Sequence, residues 1–137
     1  MSIIVPVFNE AATVTAVIER LRTIDLSAPR EIIVVNDGST DGTRAALDRM
    51  SSAPDVEVIH ADRNRGKGHA VRLGLTRARG SVIAIQDADL GVNQRDTALT
   101  VLDRRWHRSL AHADARAGGV DQADRLVREL ARGNVTR

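Results

Sequence analysis

Two aspartates, Asp87 and Asp89, stand one residue apart directly after the apolar segment 81–85. Alternate side chains of a strand point to the same side, and the chain leaves the strand here, so the two carboxylates can converge on a cation. Hard divalent cations such as Mg²⁺ prefer oxygen ligands and are usually held by one or two carboxylates together with substrate phosphates. The pair therefore suggests a metal-bridged nucleotide. The alternative for an isolated Asp-x-Asp is two solvated aspartates in a turn.

Three more polar clusters follow apolar, β-branched segments. They are Asn9 and Glu10 after segment 2–8, Asn36, Asp37 and Gly38 after segment 31–35, and the run from Asn64 to Gly68 after segment 56–59. Ligands of open α/β sheets bind at the carboxyl ends of the strands. We therefore expect all four clusters to share one edge of a sheet.

Helical periodicity separates the four apolar segments. It covers residues 12–21, 43–50 and 69–79, where apolar side chains recur at spacings of three and four. Near-continuous Ile and Val runs suit strands that are covered on both faces. The pattern predicts an α/β fold over residues 1–90, with a mostly parallel sheet of about four strands and flanking helices.

Together the polar clusters resemble the successive motifs of the family-2 glycosyltransferases. The matching segments, in order, read SIIVPVFNE, VVNDGSTDG, NRGKG and QDADL. Within the family they are most similar to the dolichyl-phosphate mannose synthase-like branch. The resemblance implies a Rossmann-like GT-A fold, a UDP- or GDP-linked sugar donor, and a divalent metal, Mg²⁺ or Mn²⁺.

The resemblance also implies roles for residues near the base and the ribose. Pro6, Asn9 and Glu10 would form part of the nucleoside pocket. Glu10 would accept hydrogen bonds from the ribose hydroxyls, and the Asp37 carboxylate would accept from a ring N–H of the base. On residue types alone, segment 36–41 is more simply a turn followed by a helix start, and the order of the motifs favours the binding role.

The phosphates and the metal would be held by the remaining two motifs. Lys67, the only lysine in the chain, carries a compact charge that suits a phosphate oxygen, and backbone N–H groups of the glycine-rich loop around it could approach the phosphate. Arg63 and Arg65 flank Lys67, and the sequence does not decide which of the three cations contacts the donor. A flexible basic surface loop is the alternative to a binding role. Asp89 would bind the metal directly, and Asp87 would be shared between metal and ribose. The cation would neutralise the leaving diphosphate during an inverting transfer.

The resemblance ends near residue 90. The branch usually continues with an acidic or amide residue, an aromatic residue and a proline, whereas this chain has Gly91, Val92 and Asn93. Residues 1–90 hold 11 Lys and Arg against 12 Asp and Glu, while residues 91–137 hold 9 against 6. We therefore divide the chain into a sugar-nucleotide-binding portion, 1–90, and a divergent tail, 91–137, such as a truncated, fused or frame-shifted gene would produce.

The tail is predicted to be helical. Apolar residues at helical spacing over 99–110 and 120–130 suit two amphipathic helices broken at Gly118 and Gly119. His107 and His112 are five residues apart, which does not favour a shared metal. The arginines of the tail are offset by aspartates and accompanied by few aromatics, which argues against nucleic-acid binding.

Composition restricts the setting in which the chain works. The 137 residues include no cysteine, which excludes disulfides and thiol catalysis. We find neither a secretory leader nor an apolar run of ~20 residues, so we expect a cytoplasmic protein that can lie against a membrane. A polyprenyl-phosphate acceptor, as the resemblance implies, would be met there. A half-domain of four strands leaves sheet surface uncovered, so we expect self-association or marginal stability.

The resemblance thus predicts metal-dependent, inverting transfer of a hexose to a lipid phosphate or another acceptor. Because no acceptor-binding motif is recognisable, two alternatives stay open. One is a truncated, non-catalytic nucleotide-binding module, and the other is a helical-tail interaction protein without a working site. A dinucleotide-dependent oxidoreductase is disfavoured because no glycine-rich fingerprint follows the first strand.

Overall fold

A five-stranded sheet with helices on both faces forms the described part of the chain. The computed structural model describes residues 1–23 and 29–89, and the backbone of residues 100–103. In chain order the elements are β1 Ser2–Val7, α1 Val14–Thr23, β2 Glu31–Asn36, α2 Thr43–Met50, β3 Val56–His60, α3 Lys67–Arg77, β4 Val82–Ile85 and β5 Thr100–Asp103. The strand order is β3-β2-β1-β4-β5, and the first four strands are parallel. The predicted parallel sheet with flanking helices is confirmed.

Strand alternation divides the core into two layers. Ile3, Val5 and Val7 of β1 pack under the apolar sides of α1 and α2, whereas Ile4 packs on the opposite face with Ala70 of α3. Both faces of the central strands are therefore covered, which explains their unbroken Ile and Val runs. Within the described ranges no helix could cross a membrane, since the longest, α3, has 11 residues.

The strand β5 corrects the prediction for the tail. Residues 99–110 are predicted to be helical, but Thr100–Asp103 pairs antiparallel with β4, with Ile85 opposite Thr100 and Val82 opposite Asp103. A short apolar run cannot be assigned to helix or strand by periodicity alone, and pairing covers an edge of β4 that would otherwise be open. The rest of the two predicted tail helices lies outside the described residues.

Pro6 determines where β4 leaves the central strand. The last bond of that ladder runs from the Gln86 N–H to the Ile4 carbonyl, at 2.9 Å. In a parallel ladder the next bond would come from the N–H of residue 6, which proline lacks. On the other side, the Val7 carbonyl accepts from the Asp37 N–H at 2.8 Å, so the pairing with β2 continues. The sheet consequently opens between β1 and β4 just before Asp87.

A partly buried carboxylate joins the amino ends of the strands, opposite the predicted site. Glu31 accepts hydrogen bonds from the Ser2 hydroxyl at 2.6 Å and from the backbone N–H and Nε of Arg79 at 2.6 and 2.9 Å. Burial alone would raise the pKa of Glu31, but the bonds from Ser2 and Arg79 and the Arg79 charge outweigh it and lower this pKa to about 2. The beginnings of β1 and β2 and the turn before β4 are thereby joined through one anion.

We predict that Glu31→Gln lowers the free energy of unfolding by about 1.5–3 kcal/mol at pH 7, because charge-assisted hydrogen bonds are lost. The folded-state pKa of about 2 lies below the ordinary 4.5, so this stabilisation is full above that ordinary value and is lost as the pH falls towards 2. Urea unfolding at pH 7 and pH 3 should therefore show a smaller difference between wild type and variant at pH 3.

Glu57→Gln is the matched control, since Glu57 pairs with Arg77 on the surface, at 3.1 Å. Its effect should stay below about 1 kcal/mol, as for most exposed ion pairs. Equal losses for the two variants, or a Glu31→Gln effect that does not change with pH, would contradict this account of the edge.

Candidate functional site

The predicted site residues gather where the parallel strands end. β2 and β3 lie on one side of β1, and the chain then crosses over to place β4 on the other side. This reversal makes the gap between β1 and β4 a topological switch point, where ligands of open α/β sheets bind. Pro6 is buried within β1 beside the gap, and Asp87 and Asp89 are exposed just beyond β4.

The loops after β1 and β2 are bonded to each other. Asn9 donates its backbone N–H to Ser39 Oγ at 2.9 Å and accepts from the Thr40 N–H at 2.8 Å through Oδ1. The Glu10 N–H donates to Thr43 Oγ1 at 2.9 Å. Asn9 has a φ of 54°, a left-handed conformation that asparagine tolerates better than most residues. Its side-chain oxygen therefore shapes the loops, and its predicted contact with the nucleoside stays a prediction.

Asp37 connects the end of β2 to the basic loop, residues 61–66 between β3 and α3. The residue is 2% exposed, and its carboxylate accepts from the backbone N–H groups of Arg65 at 3.1 Å and Gly66 at 2.7 Å. Such donors make a buried carboxylate tolerable. The Gly66 N–H is thus directed at Asp37, not at a phosphate as the loop sequence suggests. A carboxylate can accept about four bonds, so Asp37 keeps capacity for a further donor.

Lys67 and Asp87 are brought together across the gap. Lys67 Nζ lies 2.5 Å from Asp87 Oδ1, and both side chains are more than half exposed. An exposed ion pair contributes only about 0–1 kcal/mol, so either partner can be drawn away by a ligand at little cost. The predicted phosphate ligand and the predicted metal ligand are therefore neighbours.

The two aspartates suit one kind of metal site. The described residues contain no group of three or more His, Cys, Asp or Glu side chains arranged to hold an ion. Two exposed carboxylates fit a hard divalent cation that takes its remaining ligands from water and substrate phosphates, as Mg²⁺ commonly does. They do not fit a structural metal enclosed by protein ligands.

Gln86 and Thr13, to which the sequence assigned no role, contact the backbone of Asp87 and Ala88. Gln86 Nε2 donates to the Asp87 carbonyl at 2.9 Å, and Thr13 Oγ1 lies 3.0 Å from the Ala88 carbonyl. Thr13 Oγ1 also lies 2.9 Å from Glu10 Oε2. The contact between Thr13 and Ala88 spans 75 positions and is not visible in one sequence.

Two buried polar atoms have no hydrogen-bond partner within the described region. They are Gln86 Oε1 and His69 Nδ1. His69 Nδ1 is 3.9 Å from Asp37 Oδ1, beside the proposed base contact. Both unpaired atoms lie at the end of the sheet that carries the motifs.

A protein-family model and a relative of known function match most of this chain. The family model described as glycosyl transferase family 2 matches residues 2–123. This match continues past residue 90, and the division of the chain at that position stays a prediction. A dodecaprenyl-phosphate galacturonate synthase of Rhizobium johnstonii is 35% identical over 113 residues, covering 77% of this chain and 33% of the relative.

Solved structures show the same fold. A mannosyltransferase of Pyrobaculum calidifontis in complex with GDP-Man and Mn²⁺ matches with a TM-score of 0.57 and 33% identity, over 64% of this chain and 27% of that chain. The S. aureus protein TarS in complex with UDP-GlcNAc matches with a TM-score of 0.58 and 28% identity, over 64% and 26%. The chain thus spans a third or less of the length of the relatives cited here.

We predict that Gly38→Ala lowers the free energy of unfolding by at least about 2 kcal/mol, because a left-handed residue with a Cβ already costs about 1–2 kcal/mol. Gly38 has a φ of +68°, and an added Cβ would clash with the backbone of Arg63 and Asn64. The backbone of the basic loop would have to move. Urea unfolding measures this loss.

Gly42→Ala is the control, because an added Cβ there meets only the Ala11 Cβ at an ordinary 3.7 Å. We expect a change below about 1 kcal/mol. A Gly38→Ala protein as stable as Gly42→Ala would show that the loop does not approach β2 as closely as described.

Proposed function

Because the chain belongs to glycosyl transferase family 2, we propose that its strand ends bind a nucleotide-diphosphate sugar together with Mg²⁺ or Mn²⁺. The observation that carries the proposal is the meeting of Lys67 and Asp87 at the gap between β1 and β4. A cation-binding carboxylate and a phosphate-binding ammonium are both needed by a metal-bound diphosphate, and the switch point offers the crevice.

The surroundings of the metal and phosphate ligands are compatible with the role proposed for each. Asp89 binds the metal directly, and Asp87 is shared between the metal and the ribose. Lys67 exchanges Asp87 for a phosphate oxygen, which the weak exposed pair allows. A bound divalent ion would supply positive charge that stabilises the departing diphosphate.

The nucleoside would lie over the loops that follow β1 and β2. Glu10, held at its backbone by Thr43, accepts from the ribose hydroxyls. Asp37 uses part of its hydrogen-bonding capacity on the basic loop and has room for a ring N–H of the base. Pro6 and Asn9 would form part of this nucleoside pocket.

For the reaction we propose inverting transfer of a hexosyl group to a polyprenyl phosphate. The acceptor is suggested by the similarity to a dodecaprenyl-phosphate galacturonate synthase, and the nucleotides by the GDP-Man and UDP-GlcNAc complexes. A lipid-linked acceptor would bring the reaction to a membrane surface. Nucleotide binding without transfer to a polyprenyl phosphate would favour the alternative of a non-catalytic nucleotide-binding module.

We predict that UDP or GDP binds the full chain and that Mn²⁺ tightens this binding. Replacing Asp89 by Asn should weaken the Mn²⁺-supported affinity about tenfold or more, which corresponds to the loss of one charge-assisted interaction. Calorimetric titration of each nucleotide with and without Mn²⁺ measures both effects.

Asp62→Asn serves as the control, since Asp62 is an exposed carboxylate on the basic loop, paired with Arg65 at 3.7 Å. It should bind as the wild type does. If a folded sample binds neither nucleotide, or if Asp62→Asn and Asp89→Asn weaken binding equally, the proposed donor site is wrong.

A further inference from the structure

The Thr13 hydroxyl faces two acceptors and has one proton to give. Its Oγ1 lies 2.9 Å from Glu10 Oε2 and 3.0 Å from the Ala88 carbonyl oxygen. A hydroxyl donates one hydrogen bond, and neither an ionised carboxylate nor a carbonyl can return one. At any moment, therefore, the Thr13 hydroxyl donates its hydrogen bond to only one of the two acceptors.

The two acceptors belong to different parts of the proposed site. Glu10 is the residue assigned to the ribose, and Ala88 lies between the two aspartates assigned to the metal. The Ala88 side chain is 3% exposed and belongs to the same core cluster as Val14 of α1. Its carbonyl is consequently held close to the start of α1, and the neighbouring Asp87 carbonyl is fixed separately by Gln86.

We propose that Thr13 is a positioning residue that couples nucleoside binding to the order of the metal loop. The inference rests on the proposed function and goes beyond it. Ribose hydroxyls that donate to Glu10 neutralise part of its charge and weaken its attraction for the Thr13 proton. The Thr13 O–H then donates its hydrogen bond to the Ala88 carbonyl instead, which fixes the backbone between Asp87 and Asp89 in the conformation that binds the cation.

Linkage makes the effect reciprocal. If the nucleoside raises the affinity for the metal by some factor, the metal raises the affinity for the nucleoside by the same factor. One neutral hydrogen bond corresponds to a factor of about three to ten. This coupling is separate from the direct bridge between phosphate and metal, because it needs no phosphate.

The test uses nucleosides, which lack the phosphates that would bridge to the ion and leave only the shared Asp87 and Thr13 as links between the ribose and the metal. The affinity of the full chain for Mn²⁺ is measured from the electron paramagnetic resonance signal of the free ion, with and without saturating uridine or guanosine. The variants are Thr13→Val, which removes the hydroxyl at nearly constant shape, Thr13→Ser, which keeps it, and Thr15→Val, a control at an exposed position of α1. Asp89→Asn shows whether the measured Mn²⁺ binds at this site, because this variant should bind that ion more weakly.

The proposal expects the nucleoside to tighten Mn²⁺ binding by a factor that is about threefold to tenfold larger in the wild type, Thr13→Ser and Thr15→Val than in Thr13→Val, where only the link through Asp87 is left. The hydroxyl has no coupling role if Thr13→Val keeps the wild-type factor, or if Thr13→Ser loses it as Thr13→Val does. Mn²⁺ and nucleoside binding that are both present but independent in the wild type would overturn this inference and leave the proposed function standing. Absence of Mn²⁺, UDP and GDP binding would overturn both.

Discussion

The missing N–H of Pro6 is the constraint on which the architecture of the site depends. Proline in a central strand is tolerated only where no partner needs its donor, and here that place is the point where β4 stops pairing with β1. The neighbouring ladder to β2 is unaffected, since Val5 and Val7 provide its bonds. β1 and β4 are therefore paired before residue 6 and separate after it. Asp87 emerges on one side of the opening, and Glu10 lies on the other.

The stabilising contacts of Glu31 and the proposed binding site lie at opposite ends of the same parallel strands. At the amino ends of the strands, the Glu31 carboxylate is partly buried and accepts hydrogen bonds from Ser2 and Arg79. At the carboxyl edge, Lys67 and Asp87 are exposed and form a pair that a ligand can separate. The difference is one of solvation, because buried charge-assisted bonds are strong and exposed pairs are weak. The strands can therefore stay fixed at their amino ends while Lys67 and Asp87, at the carboxyl ends, change from each other to a ligand.

Much of this arrangement could be predicted from the sequence. The apolar runs of β1 and β2 fixed the parallel core, and the motif order placed Glu10, Asp37, Lys67 and Asp87 at one edge. The strand β5 could not be predicted, since its four residues suit either helix or strand until β4 is seen beside them. The Thr13 contact with Ala88 and the bond from Gly66 to Asp37 also require three-dimensional proximity, because nothing in residue type distinguishes them.

The measurement that tests the account most directly is amide chemical-shift mapping of the ¹⁵N-labelled full chain, titrated with UDP and with GDP in the presence of Mg²⁺. We predict that one nucleotide shifts the amides of Asn9, Glu10, Lys67, Asp87 and Asp89. The amides of Glu31 and Arg79, at the opposite edge of the sheet, should not move. Shifts confined to the Glu31 edge, or no shifts in a folded sample, would contradict a nucleotide site at the gap between β1 and β4.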